Sequence, residues 1–284
     1  MFRFSKKYYP HVNAFWFNQY KLQNNPLRIG LNGMIYNIVN DNKKICKKIT
    51  INKYGNREVY HLLNLKRFFI TPFVYESFKS KTDYYIIMEK YQSNLTTFIT
   101  NPYKKPTLQN LIYISDLICR KVDILHKQNI AHRDIKPCNI LITKNLNYNV
   151  QLIDFETSCS NNFIDNLEYG TKYYKNDKID FNLYDYNYFK QDYFSLGIKL
   201  SLLFTDGKYN ESIFFYNSPK ENCKLIFKEI YENYNKEIIT KKNKIDEDYI
   251  MNLCYILTSL MNIKNNETIN LTKITKFFRM YLKN

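Results

Sequence analysis

The first third of the chain carries short runs of β-branched and aromatic residues separated by Gly and Asn, a pattern typical of β-strands. Such runs lie at 28–39, 44–51 and 84–88. Between them, Leu62 and Leu65 recur with other apolar residues at helical spacing and predict a short helix over 56–65. This part of the chain is therefore predicted to be a small β-rich region with one helix.

The rest of the chain has mainly helical spacing. Apolar residues recur every three or four positions over 108–128 and predict a long helix there. Two strand-sized apolar runs follow at 140–143 and 150–153. Helical patterns then dominate, at 194–203, 225–234 and 249–261. A β-rich lobe followed by a larger helical lobe belongs to the α+β class.

Composition excludes several classes of protein. With 284 residues, of which 45% are hydrophobic and 17% aromatic, the chain can fill a sizeable core and does not resemble a disordered protein. No apolar run approaches the ~18 residues of a transmembrane segment, and the first residues lack the apolar stretch of a signal peptide. The six cysteines are scattered without a C-x-x-C pair. We therefore expect an intracellular, cytoplasmic protein with reduced thiols.

The net charge of +16 is concentrated near the beginning of the chain. Residues 1–67 hold 13 Lys and Arg against two acidic residues, Asp41 and Glu58. A basic N-lobe of this kind favours an acidic partner: a protein, a nucleic acid or an anionic surface. The favoured alternative is an A/T-rich coding sequence, which raises the Lys and Asn counts without selection for binding.

The segment His132–Asn139 has the sequence HRDIKPCN, and Asp154 follows in the sequence LIDF. Phosphoryl transfer concentrates negative charge on the moving phosphate, so it needs a positioned cation and a carboxylate that orients the attacking hydroxyl. It also needs Mg²⁺, which prefers carboxylate and amide oxygens. The residues that could supply this set are Asp134, Lys136, Asn139 and Asp154. A polar turn between core elements is the alternative, and eight matching positions argue against it.

This segment resembles the catalytic loop of the protein kinase superfamily, H-R-D-[IL]-K-P-x-N, at every fixed position. The resemblance implies that Asp134 is the catalytic base and that Lys136 contacts the γ-phosphate of ATP. It also implies that Asn139 and Asp154 bind the metal. ATP and Mg²⁺ are therefore the expected cofactors.

Residues 27–36, LRIGLNGMIY, resemble the glycine-rich loop of the same family, L-G-x-G-x-x-G-x-V-Y. The resemblance implies an ATP-binding role for Leu27, Gly30, Gly33 and Ile35. The two glycines would let the backbone approach the phosphates. Arg at position 28 replaces the first glycine of the pattern.

Residues 45–49, ICKKI, resemble the family's third strand, V-A-I-K-K-I, whose lysine binds the α- and β-phosphates. Aligning the K-K-I ending selects Lys47, whereas aligning Cys46 with the small Ala selects Lys48. We favour Lys47 and keep Lys48 as the alternative. Glu58, in the sequence REV, resembles the helix glutamate that pairs with this lysine, although the spacing is shorter than usual in the family.

Residues 87–91, IMEKY, resemble the hinge segment of the family. Met88 would be the gatekeeper, and the backbone of Glu89 and of Tyr91 would hydrogen-bond the adenine. Leu141, directly after the catalytic loop, completes the expected ATP-binding set.

Four further positions bear on activity. Thr171, in GTKYY, resembles the G-T-x-x-Y stretch of serine/threonine kinases and implies selection of a Ser or Thr acceptor. Asp192, in DYFSLG, resembles the aspartate that holds the catalytic-loop backbone. Glu156 stands where the family's D-F-G has glycine, and we hypothesise that it restricts inactivating movements of this segment. Lys178 replaces the glutamate of A-P-E.

The resemblance implies a two-lobed protein-kinase fold of the α+β class. We expect a basic N-terminal extension at 1–26 and a kinase domain at 27–284, with a small antiparallel β-rich N-lobe (about 27–90) and a larger, mainly helical C-lobe (about 91–284). The expected function is a serine/threonine protein kinase that transfers the ATP γ-phosphate to Ser or Thr hydroxyls of a protein substrate. A pseudokinase that acts as a binding or scaffold module is the alternative. A kinase of lipids or small molecules is disfavoured. The lean, A/T-rich chain resembles viral or parasite kinases.

Overall fold

The computed structural model describes residues 16–17, 20–101, 105–160, 188–239, 246–262, 269–280 and 282. The chain divides into two units. The first comprises the residues up to Gln92 together with 151–157, and the second comprises 93–150 and the residues from Ser158 onward. The split at 1–26 and 27–284 stays a prediction.

The first unit contains an antiparallel five-stranded sheet with the strand order β3-β4-β5-β7-β6. A short hairpin of two strands precedes it. The strands are β1 (Trp16–Phe17), β2 (Tyr20–Lys21), β3 (Arg28–Ile29), β4 (Gly33–Ile38), β5 (Asp41–Thr50), β6 (Val74–Lys79) and β7 (Asp83–Glu89). Because β4, β5 and β7 are neighbours, residues at matching register positions on them lie side by side.

Helix α1 (Lys53–Leu65) connects β5 to a short 3-10 helix at Lys66–Phe68. Its N-cap is Asn52, whose side chain accepts a hydrogen bond from the N–H of Gly55 at 2.8 Å. The buried face of the helix includes Glu58, Leu62 and Leu65, three or four residues apart. This spacing fixes which side of the helix faces the core, and it places a glutamate on that side.

Residues before position 27 also pack on this sheet. Tyr20 and Leu22 belong to one buried cluster with Ile38, Cys46 and other sheet residues. The hydroxyl of Tyr20 donates to Glu76 at 2.7 Å. The beginning of the described chain therefore contributes apolar area to the core of the first unit.

Helices make up most of the second unit. Eight α-helices occur among the described residues of the whole chain, and seven of them follow Gln92. The elements are β8 (Ser93–Asn94), α2 (Leu95–Ile99), α3 (Leu108–Lys127), β9 (Ile140–Lys144), β10 (Tyr148–Leu152), α4 (Tyr188–Phe204), α5 (Glu211–Tyr216), α6 (Pro219–Ile239), α7 (Glu247–Met261) and α8 (Leu271–Met280). The sheet order is β10-β9-β8. The two-lobed α+β fold expected from the sequence is confirmed.

Helix α3 is anchored to α8 by a buried carboxylate. Asp116 is 1% exposed and binds Arg120 one turn later on α3, at 2.8 Å, and Arg279 near the end of α8, at 3.3 Å. Both arginines keep part of their side chains in solvent, so the pair of cations offsets the cost of burying one anion.

Most of the periodic segments behave as the sequence predicts. The helix expected over 108–128 is α3, and the helix expected over 56–65 begins slightly earlier, at Lys53. Strand β6 and helix α8 are absent from the sequence predictions. Glu and Lys interrupt the apolar pattern of β6, whereas α8 has the regular helical spacing Leu271, Ile274, Thr275 and Phe278 on its buried face. In the described part of the chain, none of the helices combines the length and apolarity needed to cross a membrane.

Helices α4 and α7 approach closely at Gly197. A Cβ atom added there would lie 2.7 Å from Cγ of Met261 and 2.9 Å from Cβ of Leu260. We expect Gly197→Ala to lower the free energy of unfolding by about 1–3 kcal/mol, because this overpacking outweighs the helix propensity gained. Urea denaturation followed by circular dichroism measures the change.

The matched control is Gly30→Ala, where the nearest atom to the added Cβ would be 3.5 Å away. That change should alter the free energy of unfolding by about 0.5 kcal/mol or less. Equal losses of unfolding free energy in the two variants would show that overpacking between α4 and α7 is not the cause of the loss in Gly197→Ala.

Candidate active site

The loop that follows α3 is held by Asp192 on α4, and both belong to the second unit. The backbone N–H groups of His132 and Arg133 each donate to its carboxylate at 2.7 Å. The Nε2 atom of His126 lies 2.8 Å from the same carboxylate, which is fully buried. The contact that the resemblance implies between Asp192 and the loop backbone is thus confirmed.

These bonds stabilise a strained backbone. Arg133 has a φ of 67°, in the left-handed region that side chains disfavour. Its side chain is 2% exposed, and the guanidinium lies 5.0 Å from the ring centre of Tyr188. The unusual turn at Arg133 sets the direction of the next residue, Asp134.

The polar side chains of this loop form one cluster. The ammonium of Lys136 lies 2.5 Å from Oδ2 of Asp134. Asn139, in the 3-10 helix Pro137–Asn139, donates through Nδ2 to the carbonyl and to Oδ2 of Asp134, both at 3.1 Å. Asp134 is 8% exposed, so its carboxylate is oriented by neighbours and keeps a limited face open.

In the first unit, the two candidate lysines lie on opposite faces of β5. Lys47 is opposite Ile35 on β4 and forms an ion pair with the fully buried Glu58 on α1. Lys48 binds Asp83 instead, at 3.3 Å. The strand–helix ion pair that the resemblance implies is therefore made by Lys47, and Lys48 is not brought to this site.

Three carboxylates surround Lys47. Ligand oxygens of Glu58, Asp154 and Glu156 lie within 4.8 Å of one another. Burial disfavours the charge on Lys47, but these carboxylates outweigh it and raise the pKa of the lysine above its usual range. Burial, strengthened by the other two acids, raises the pKa of Glu58 despite its lysine partner. Lys47 consequently stays cationic.

Asp154 follows β10, with a φ of 71°. The next side chain, Phe155, is fully buried and lies 5.9 Å from the ring of His61 on α1. The N–H of Leu152 donates to the carbonyl of Ile70 at 2.8 Å and holds the strand end that leads to Asp154. The local fold thus buries the aromatic residue and leaves the aspartate partly exposed.

The glycine-rich segment is a tight hairpin between β3 and β4. The N–H of Gly30 donates to the carbonyl of Gly33 at 2.8 Å. A Cβ atom at Gly33 would come within 2.4 Å of the carbonyl oxygen of Lys48, so this position requires glycine. Leu27 is 57% exposed, and Ile35 is half-buried.

The expected hinge residues end β7. Met88 is buried, with 3% exposure, opposite Ile45 on β5. The N–H of Glu89 donates to the carbonyl of Phe73 at 2.9 Å, which leaves the Glu89 carbonyl as the group it could offer to a ligand. Tyr91 is buried.

The remaining expected ATP-binding residue is Leu141. Leu141 belongs to β9 of the second unit, where it is half-buried opposite Asn94. Thr171 and Lys178 fall outside the described residues.

Two residues that the sequence analysis missed connect elements of the first unit. Asn32 donates to Glu156 at 2.6 Å and accepts from Asn52, the N-cap of α1, at 3.0 Å. The sequence analysis marked Glu156 as a departure from the D-F-G pattern, but no sequence signal links it with Asn32, which is 124 positions away at a variable position of the glycine-rich pattern.

The donor set suits Mg²⁺. Mg²⁺ prefers hard oxygen ligands, and each unit offers one expected from the sequence: the carboxylate of Asp154 in the first unit and the amide oxygen of Asn139 in the second. Asn139 is oriented by donating its Nδ2 hydrogens to Asp134. Its Oδ1 accepts from the thiol of Cys138 at 3.6 Å, a weak bond that leaves the oxygen a second lone pair.

Comparison with known proteins agrees with this arrangement. The family model for the protein kinase domain matches residues 29–276. The protein R436 of Acanthamoeba polyphaga mimivirus, whose name gives it as a serine/threonine-protein kinase, is 37% identical over 36% of this chain and 38% of its own length. Myosin light chain kinase 3 of Danio rerio is 25% identical over 74% of this chain and 30% of its own length. The chain thus spans well under half of the length of these relatives.

We expect Asp192→Ala to free the backbone N–H groups of His132 and Arg133. Each loses a bond to a charged acceptor, worth about 1.5–3 kcal/mol, so the loop should open locally. Hydrogen exchange followed by mass spectrometry measures this as about tenfold or faster exchange at these two amides.

The control is Asp123→Ala, which removes a half-buried carboxylate of α3 that binds the exposed Lys127 at 2.6 Å and accepts from Thr272 at 3.2 Å. The pair with an exposed lysine contributes about 0–1 kcal/mol, and because these contacts lie outside the loop at 132–139, exchange at the loop amides should stay unchanged. Unchanged exchange in Asp192→Ala as well would mean that other contacts hold the loop.

Proposed function

Because this chain belongs to the protein kinase domain family, we propose that it is an active, Mg²⁺-dependent serine/threonine protein kinase. The observation that carries the proposal is the loop at 132–139, in which Asp192 fixes the backbone and the side chains of Asp134, Lys136 and Asn139 form one cluster. A chain without catalytic function would have no need to keep this polar set oriented at the cost of a strained backbone.

Four residues of the second unit have distinct proposed roles. Asp134 accepts the proton of the attacking hydroxyl and orients its oxygen. The ammonium of Lys136, which forms an ion pair with Oδ2 of Asp134, supplies a cation for the transferred phosphate. Asn139 orients Asp134 through Nδ2 and offers Oδ1 to the metal. Leu141 contributes apolar area to the adenine.

The first unit is proposed to bind the nucleotide. Lys47, held by Glu58, binds the α- and β-phosphates, and Asp154 is the second metal ligand. The backbone at Gly30 and Gly33 approaches the phosphates. The apolar and hinge residues proposed to contact the nucleoside are Leu27, Ile35, Met88, Glu89 and Tyr91. When bound, Mg²⁺ neutralises phosphate charge in the transition state.

Serine and threonine are the proposed acceptors on proteins. Thr171, in the sequence GTKYY, supports this choice, as does the mimivirus relative, which is named a serine/threonine-protein kinase. The competing function is a pseudokinase, which the glutamate at position 156 favours because the family has glycine there. A cytoplasmic location is part of the proposal.

The first test is transfer of ³²P from ATP in the presence of Mg²⁺ to generic basic and acidic protein substrates. Wild type should label Ser and Thr, and Asp134→Asn should lower kcat by about 10²–10⁴, since the general base is lost with little change in shape. Phosphoamino-acid analysis identifies the acceptor. Background labelling by a folded wild type that still binds ATP would establish the pseudokinase instead.

The two lysines of β5 allow a matched comparison. Lys47→Met should lower kcat/KM by about 10²-fold or more, because it removes the phosphate cation and leaves Glu58 buried without its partner. Lys48→Met removes a partly exposed cation that binds Asp83 and does not contact Glu58, and it should change kcat/KM by about twofold or less. Steady-state kinetics with ATP as the varied substrate decides between them, and the reverse order would select Lys48.

A further inference from the structure

The side chain of Glu156 is bonded to the glycine-rich hairpin. Its Oε2 accepts from Nδ2 of Asn32 at 2.6 Å. Asn32 lies between Gly30 and Gly33 in the turn, and both bonded side chains are half-buried. A hydrogen bond to a carboxylate in such a site is stronger than one between neutral groups.

Asn32 is held from two other directions. Its carbonyl accepts from the N–H of Thr50 at the end of β5, at 2.9 Å. Its Oδ1 accepts from Nδ2 of Asn52 at 3.0 Å, and Asn52 in turn caps α1 through Gly55. The three side chains Glu156, Asn32 and Asn52 therefore join the segment after Asp154, the tip of the hairpin and the first turn of α1.

The backbone at Glu156 does not oppose a side chain. Among the described residues with positive φ are Asp154 and Arg133, but Glu156 is not one of them. Glutamate can therefore occupy a position where the family has glycine without the strain of a left-handed conformation. Unlike glycine, glutamate at this position provides a carboxylate that accepts a hydrogen bond from Asn32.

We infer that Glu156 is a positioning residue, which holds the glycine-rich hairpin through Asn32 in a fixed place before a nucleotide binds. The consequence for ATP binding rests on the proposed function, whereas the clamp itself is a property of the free protein. Because the turn is already ordered when the protein folds, less conformational entropy is lost when phosphates bind.

Hydrogen exchange in the absence of nucleotide tests the clamp directly. The reporter is the amide of Thr50, which Asn32 binds through its carbonyl. Glu156→Ala and Asn32→Ala should each speed its exchange about tenfold. Asn32→Ala also removes the bond from Asn52, so the double variant should exchange no faster than Asn32→Ala, because Glu156 acts on the hairpin through the Asn32 side chain.

Conservative and matched variants separate this bond from general damage. Glu156→Gln keeps an oxygen acceptor for Asn32 and should retain most of the protection at Thr50. Asn37→Ala removes an exposed amide of β4 that donates to Gln23 at 3.1 Å, and it should leave Thr50 unaffected. Unchanged exchange in Glu156→Ala, multiplicative effects in the double variant, or a Gln variant as fast as Ala would each overturn the proposal.

A nucleotide titration provides the second readout. Asn32→Ala changes no charge, and we expect it to raise the KM for ATP about three- to tenfold with a smaller change in kcat. A loss confined to kcat would contradict a positioning role for the hairpin. If wild type neither binds ATP nor transfers phosphate, the proposed function fails, while the exchange experiment still decides whether Glu156 clamps the hairpin.

Discussion

The buried carboxylate of Asp192 is the group on which the conformation of the loop at 132–139 depends. It accepts from two consecutive backbone N–H groups, those of His132 and Arg133, and lies against His126. The left-handed conformation of Arg133 costs about 1–3 kcal/mol. Two bonds to a charged acceptor contribute about 1.5–3 kcal/mol each, so they outweigh that cost. The orientation of Asp134 follows from this balance, since it is the next residue along the chain.

In the first unit, the arrangement around β5 and α1 depends on the buried ion pair between Lys47 and Glu58. Glu58 is buried because it lies on the apolar face of α1, and a buried carboxylate needs a cation. Lys47 provides it, but Asp154 and Glu156 share the same lysine, so the group has more anions than cations. The amide of Asn32 stabilises the charge on Glu156 by donating a hydrogen bond to it. A phosphate in this group would add a further anion, which the Mg²⁺ of the proposed function would balance.

Sequence could predict the parts of this arrangement that repeat a period or a motif. The helix over 108–127 follows from apolar spacing, and the loop at 132–139 follows from its match to the kinase pattern. The choice between Lys47 and Lys48 required the structure, because strand alternation says only that they face opposite ways. Packing of Tyr20 and Leu22 on the sheet and the bond between Asn32 and Glu156 join residues that are distant in sequence, where polarity and spacing carry no information.

The position of Glu156 bears on how departures from a family pattern should be weighed. A glycine is required where the backbone is left-handed or where a Cβ would collide, and Gly33 meets the second condition. The backbone at Glu156 is not left-handed. Its carboxylate is bonded to Asn32, which identifies it as a supporting group and not a reacting one. The departure thus gives the hairpin an added contact, and the sequence retains the motif residues Asp134, Asn139 and Asp154. A substitution of this kind alters the support of an active site, and for that reason it is weak evidence for loss of catalysis.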